Sequence, residues 1–171
     1  FKPKVSAYSV TPVCSLKASI RFNKKIVIVD TPGIFDTTTS NEITQQEIYK
    51  CIGMTSPGPH AFLFVTSVVS RFTQEEKQSF DMFVRQFGKN ILRYAFVLFT
   101  RKDELDRHQI DLEDHIENSS KALISFIEKC GGRVVAFDNT LEGEELDRQV
   151  QDLLHKIMTN LEKNGGECYT N

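Results

Sequence analysis

Short apolar, β-branched runs alternate with longer segments of helical periodicity along most of this chain, which restricts the fold to a mostly parallel sheet covered by helices. Parallel strands are buried on both faces and therefore read as continuous apolar runs. Four such runs occur: Lys25-Ile26-Val27-Ile28-Val29-Asp30, Ala61-Phe62-Leu63-Phe64-Val65, Tyr94-Ala95-Phe96-Val97-Leu98-Phe99-Thr100 and Arg133-Val134-Val135-Ala136-Phe137. Ahead of them Leu16, Ala18, Ile20 and Phe22 alternate loosely, which predicts an edge strand over 14–22 paired through an Asn23-Lys24 turn.

The helices follow from 3.6-residue spacing. Thr73 and Glu76 form a capping box, Phe80, Phe83, Val84 and Phe87 mark one apolar face, and Gly88 closes the helix. Leu146, Val150, Leu153, Leu154, Ile157 and Leu161 make the stripe of a last helix. Residues 42–54 and 112–130 supply two more, the latter ending at Gly131-Gly132. These stripes are core faces on this reading. Residues 1–163 form one domain, and the polar stretch 164–171 is expected to be a flexible tail.

Length and composition agree with one domain, since 171 residues with 40% hydrophobic content can bury a sizeable core. A net charge of -2, with lysines and arginines scattered among acids, leaves no footprint for nucleic acid. No apolar run is long enough to span a bilayer, and Phe1-Lys2-Pro3-Lys4-Val5-Ser6 lacks the apolar segment of a signal peptide. A cytoplasmic chain is the expectation. Cys14, Cys51, Cys130 and Cys168 form no CxxC pair and read as reduced, partly buried thiols; the four histidines show no metal-binding spacing.

In open parallel sheets, ligands bind beyond the carboxyl ends of the strands. The first run ends in Asp30-Thr31-Pro32-Gly33. An aspartate there can hold the outer shell of a Mg2+ ion, and the Gly33 amide can approach a terminal phosphate without side-chain obstruction. Aspartate at a strand end is common, so this match gains meaning only from the loops after the later strands. The third run ends in Thr100-Arg101-Lys102-Asp103, the T/N-K-x-D-like form with which guanine is read. The Asp103 carboxylate accepts from the N1–H and exocyclic amine of the base, a pairing adenine cannot satisfy, while the flanking long side chain packs on the purine face. After the fourth run, Asp138-Asn139-Thr140 offers a last base loop, where a backbone amide or the Asn139 side chain meets the guanine oxygen. A carboxylate-glycine loop, a base-reading loop and a third loop, in that order, are the plan of a GTPase domain.

The resemblance is closer than a shared plan. Ser56-Pro57-Gly58-Pro59-His60-Ala61-Phe62-Leu63-Phe64-Val65, with Arg71-Phe72-Thr73 and Glu75-Glu76 after it, resembles the box that distinguishes the immunity-associated (GIMAP) GTPases. Asp30 to Thr37, Thr100 to Asp103, and Ser9-Val10-Thr11 with Cys14 resemble that family's other motifs in the same order, so the likeness covers essentially the whole chain. It implies a P-loop GTPase-like α/β fold with helices on both faces, GTP or GDP with Mg2+ as ligands, and homodimers or related GTPase-domain partners. It also implies that Thr11 closes on Mg2+ and the terminal phosphate, that Asp36 to Asn41 belong to the second switch, and that Arg71 can reach a partner's nucleotide as a trans-acting finger. A surface arginine before a helix cap is the plainer alternative for Arg71. Family proteins act inside cells, often at organelle surfaces.

The chain departs from the pattern in places. Ile34 stands where Ras-like enzymes place the glutamine that orients the attacking water, so slow intrinsic hydrolysis is expected. Ser70 replaces a glycine before Arg71, and Asp138 stands where the family often has asparagine. Most important, no G-x-x-x-x-G-K-[ST] occurs anywhere, so these residues supply no nest of amides and no lysine for the phosphates. The first strand, phosphate loop and first helix are therefore expected to be missing, by truncation, from a sheet whose centre they would occupy. The alternative is a nucleotide-free pseudo-GTPase that acts as an interaction scaffold. An unrelated phosphotransferase built on Asp30 fits poorly, because Pro32 occupies the place of the second aspartate of a DxD site.

Overall fold

The computed structural model describes residues 14–31, 46 and 49–170. The chain divides into two compact units, 1–59 with 170, and 60–169 with 171.

In the first unit, β1 (Ser15–Arg21) pairs antiparallel with β2 (Lys24–Asp30), in register from Ser15 opposite Asp30 to Arg21 opposite Lys24. The turn is Phe22-Asn23, one residue earlier than the sequence predicts, with φ of 52° and 56°. Two left-handed residues match the twist of a two-residue hairpin, and Asn23 tolerates that region well. Phe22 tolerates it less well, and its ring lies under the Arg21 guanidinium, 5.1 Å from ring centroid to Cζ. Residues 49–53 are helical, within the segment expected to be a helix. The expectation of reduced cysteines fails here: Cys14 and Cys51 are joined as a disulfide, their Cα atoms 5.8 Å apart. That separation lies in the middle of the bridgeable range, and a sequence separation of 37 hides the pair from any spacing rule.

The second unit holds a parallel sheet in the order β3 (Phe62–Ser67), β4 (Ala95–Thr100), β5 (Val134–Phe137). The central strand β4 is buried from Ala95 to Phe99, as its unbroken apolar run requires. On one face Phe96 and Leu98 pack with Val135 against Leu153 of α5 (Gly143–Lys163). The other core is aromatic. Phe64 of β3 meets Phe80 and Phe83 of α1 (Gln74–Phe87) and Phe126 of α4 (Lys121–Lys129) at centroid distances of 5.0, 5.5 and 5.7 Å, all near perpendicular. Helices thus cover both faces of this sheet, and the α/β class read from the sequence stands.

The capping box of α1 forms as predicted, with the Thr73 amide donating to Glu76 Oε2 at 2.7 Å and the Glu76 amide to Thr73 Oγ1 at 3.2 Å. Gly88 comes next at φ 81°, a left-handed stop that glycine adopts without strain. A 3-10 turn, Lys89–Tyr94, leads into β4, and the short helix α2 (Lys102–Arg107) comes after it, neither visible in the periodicity. The helix expected over 112–130 is two, α3 (Leu112–Glu117) and α4. Between them Asn118 Nδ2 donates to the Asp114 carbonyl and Ser119 Oγ to the His115 carbonyl, at 2.8 and 2.7 Å, and Ser120 caps α4. Three short polar side chains in succession compete with the helical ladder and break it.

Within the stretch 164–170 Tyr169 is 1% exposed. Its hydroxyl donates to the Phe87 carbonyl at 2.6 Å and its ring packs edge-on to Phe62. An amphipathic Tyr finds both an apolar bed and a polar partner there.

Candidate functional site

The register sets Ser67 opposite Thr100 and Thr100 opposite Phe137, so the carboxyl ends of β3, β4 and β5 are level. Loops from all three therefore emerge at one edge, where parallel sheets hold ligands. Thr100 ties two of the strands together, its Oγ1 donating to the Thr66 carbonyl at 3.2 Å, while the Val68 amide donates to the Thr100 carbonyl at 3.2 Å.

The loop after β3 carries Arg71. It is exposed, and its neighbour Phe72 is buried and stacked on Phe126 at 5.1 Å and 14°. That stacking fixes the backbone from which Arg71 projects.

The loop after β4 turns in one residue. Arg101 adopts φ 63° and ψ 40°, a left-handed conformation that reverses the chain from strand into α2. Asp103 sits in the first turn of α2, its side chain 19% exposed, with Arg107 as a distant cation at 3.7 Å. The rest of the loop is an ionic lattice that sequence reasoning missed. Arg101 Nη2 donates to Glu104 Oε1 at 2.5 Å, Arg107 Nη1 to Glu104 Oε2 at 2.9 Å, and Lys102 Nζ to both Asp106 oxygens at 2.6 Å. These i,i+3 and i,i+4 pairs are legible in principle from Arg101-Lys102-Asp103-Glu104-Leu105-Asp106-Arg107, once the helix is recognised.

The loop after β5 closes on itself. Asp138 Oδ1 accepts from the Thr140 amide and hydroxyl at 2.7 and 2.6 Å, an Asx turn that leaves Asn139 at the tip. Gln149 of α5 holds the base of this loop with both ends of its amide. The Asp138 amide donates to Gln149 Oε1 at 2.8 Å, and Gln149 Nε2 donates back to the Asp138 carbonyl at 3.2 Å.

Six of the predicted site residues, Arg71, Thr100, Arg101, Lys102, Asp103 and Asn139, thus lie at or just beyond the carboxyl ends of the strands of one sheet. Asp30 belongs to the other unit, at the end of β2 opposite Ser15, with Thr31 exposed after it. Thr11, Gly33, Ile34 and Asp36 to Asn41 lie outside the described residues. Chemically, the carboxylate group of Asp103 offers oxygen acceptors, the complement of a ligand with two adjacent donors. For Mg2+ the described residues offer less: no group of three or more His, Cys, Asp and Glu side chains gathers among them, and Asp30 supplies a single hard oxygen donor group. No helix among the described residues is long and apolar enough to cross a membrane.

Comparison with known proteins gives the family. The AIG1 family model matches residues 1–171. The chain is 35% identical over 161 residues to immune-associated nucleotide-binding protein 4 of Arabidopsis thaliana, covering 92% of this chain and 49% of that protein. It is 34% identical over 156 residues to immune-associated nucleotide-binding protein 1 of the same plant, covering 90% of this chain and 69% of that protein. Mouse GTPase IMAP family member 8 is 38% identical over 146 residues, 83% of this chain and 21% of that protein. The chain spans about half the length of the first of these relatives. Among solved structures, one from work on the chloroplast translocon components atToc33 and psToc159, for whose GTPase activity dimerization is important, superposes with a TM-score of 0.52 at 20% identity. The match covers 80% of this chain and 59% of that one, and bears out the α/β fold. Matched from end to end by one family model and by relatives above 30% identity, the chain belongs to the AIG1 family.

Proposed function

We propose that this chain carries the base-reading part and switch segments of a guanine-nucleotide-binding, GTPase-type molecular switch. The observation that carries the proposal is the loop Thr100-Arg101-Lys102-Asp103 leaving the central strand, level with Asp138-Asn139-Thr140 from its neighbour. Asp103 accepts from the guanine N1–H and amine, Arg101 and Lys102 cover the purine face, and Asn139 meets the guanine oxygen. Asp30 and Thr11 serve Mg2+, and the Gly33 amide serves the terminal phosphate. These 171 residues themselves hold no G-x-x-x-x-G-K-[ST] loop to cradle the phosphates.

Hydrolysis is slow in the monomer, because Ile34 cannot orient water, and is stimulated when a second copy or related GTPase domain presents Arg71. The importance of dimerization for the GTPase activity of the translocon components supports that part of the reading, and the names of the Arabidopsis relatives support an immune association.

Titration of fluorescent GDP and GTP in Mg2+ against the full-length protein tests the core of this. Binding that disappears in Asp103→Ala is the expected result. Absence of binding by the unaltered protein would overturn the switch and favour a nucleotide-free scaffold.

A further inference from the structure

We infer that Gln149 is a positioning residue that fixes how the loop after β5 reads the guanine oxygen. This rests on the guanine reading of the site. A strand end emerging from a sheet loses its ladder partners, and the last backbone pair before the loop is free to rotate. At β5, the edge strand of the order β3-β4-β5, that pair belongs to Asp138. Gln149 replaces the missing ladder: its Oε1 accepts from the Asp138 amide at 2.8 Å and its Nε2 donates to the Asp138 carbonyl at 3.2 Å. A primary amide is the side chain that can do both at once, since it has an acceptor and a donor on one plane.

The consequence reaches Asn139. With the Asp138 backbone held from one side and its carboxylate folded onto the Thr140 amide and hydroxyl at 2.7 and 2.6 Å, both flanks of Asn139 are fixed. Gln149 is anchored in turn by α5, whose Leu153, one turn along the helix, packs into the core with Phe96, Leu98 and Val135. The line of support therefore runs from the sheet core through α5 and Gln149 to a loop that faces the base. Pre-ordering of this kind raises affinity by removing the entropy of fixing the loop at the moment of binding.

Two nucleotides separate positioning from mere folding. GDP offers an oxygen at C6; 6-thioguanosine diphosphate keeps the N1–H and amine read by Asp103 but offers a weaker sulfur acceptor. Both would be titrated against the full-length protein and its Gln149→Ala variant, with thermal midpoints recorded alongside. The unaltered protein should prefer GDP by roughly tenfold, the value of one hydrogen bond to a positioned donor. The variant should bind GDP about tenfold more weakly and lose the preference, the two modifications being non-additive because they act on one contact. An unchanged preference in the variant, whether both affinities fall together or neither falls, overturns the inference. Should Gln149→Ala fail to fold, Gln149→Glu keeps the shape and the acceptor but loses the donor, and the same collapse of preference is expected. If the unaltered protein binds neither nucleotide, the guanine reading fails and this inference with it, an outcome distinct from binding that is indifferent to Gln149.

Discussion

Truncating Phe126 to alanine tests whether the aromatic cluster is the central support of the second unit. Phe126 is 2% exposed on α4, and its ring lies 4.3 Å from Phe80, 5.1 Å from Phe72 and 5.7 Å from Phe64. These partners come from α1, the loop after β3, and β3 itself, so a single side chain joins three elements. Phe→Ala in a protein core costs about 3–5 kcal/mol, and each well-oriented ring pair about 0.5–1.5 kcal/mol beyond its buried area. The neighbours are confined, with Phe80 fully buried and Phe64 and Phe72 each 8% exposed, so little collapse into the vacated space is available. The expected loss is therefore at the upper end, about 4–5 kcal/mol, a large share of an ordinary domain's stability.

Urea unfolding followed by circular dichroism measures this directly, provided the m-value is unchanged. Phe126→Leu retains most of the volume and should cost about 1–2 kcal/mol. A loss below about 2 kcal/mol for Phe126→Ala, or equal losses for the two variants, would refute the central place given to this ring. The loss should also appear locally. Phe72 gives up its stacking partner, so amide exchange at residues 70–73, which carry Arg71, should quicken more than at β4.

Three further outcomes are expected. Asp103→Asn turns one acceptor into a donor, so GDP affinity in the full-length protein should fall by a few hundred-fold or more, about 3–4 kcal/mol, while xanthosine diphosphate, whose C2 oxygen accepts, gains; calorimetric affinities for GDP that match the unaltered protein would sink this. Asp81 accepts from Lys129 Nζ at 2.5 Å and Lys77 Nζ at 3.0 Å, and these bonds, Lys129's first, hold its carboxyl below the ordinary value of 3.8 against the opposing effect of burial. Its stabilising effect is thus complete above that value and lost as pH falls through the lowered one, so the small deficit of Asp81→Asn at pH 7 should vanish in strong acid, and a deficit independent of pH would contradict it. Cys130 is fully buried, and burial pushes its thiol up to about 12, leaving roughly one thiolate in ten thousand at pH 8. Iodoacetamide should therefore label the partly exposed Cys168 in the native protein and reach Cys130 only on unfolding, which peptide mass spectrometry resolves; equal labelling rates would count against the packing around α4.

Features written contiguously in the chain are the ones its sequence discloses. β4 announces itself because a strand buried on both faces needs an unbroken apolar run, and α1 because Thr73, Glu76 and Gly88 mark its two ends. Thr100 to Asp103 are legible for the same reason, as four neighbours at one strand end. Features that depend on the meeting of distant residues are not. Cys14 finds Cys51 across a separation of 37, Tyr169 finds Phe87 across 82, and Gln149 meets Asp138 only because α5 packs against β5. The division at Asn118 to Ser120 lies between these cases, since the competing side chains are local but their victory over helix propensity depends on each carbonyl they capture.

The described edge also bears on how a switch of the proposed kind can divide its work. Its base-reading loops are held by hydrogen bonds to neighbouring elements: Thr100 to Thr66 of β3, Asp138 to Gln149 of α5, and Arg101 to Glu104 of α2. A rigid base reader contributes equally to binding GTP and GDP, and a contact made equally in two states shifts no equilibrium between them. Discrimination must then come from segments that sense the terminal phosphate, which the family resemblance puts at Thr11, Gly33 and Asp36 to Asn41. Substitutions at Asp103 or Gln149 should accordingly weaken both nucleotides by the same factor, whereas Thr11→Ala should weaken GTP alone. Parallel titrations of the two nucleotides decide this, and a Gln149→Ala variant that changes the GTP-to-GDP affinity ratio would show that the base loops are coupled to the switch.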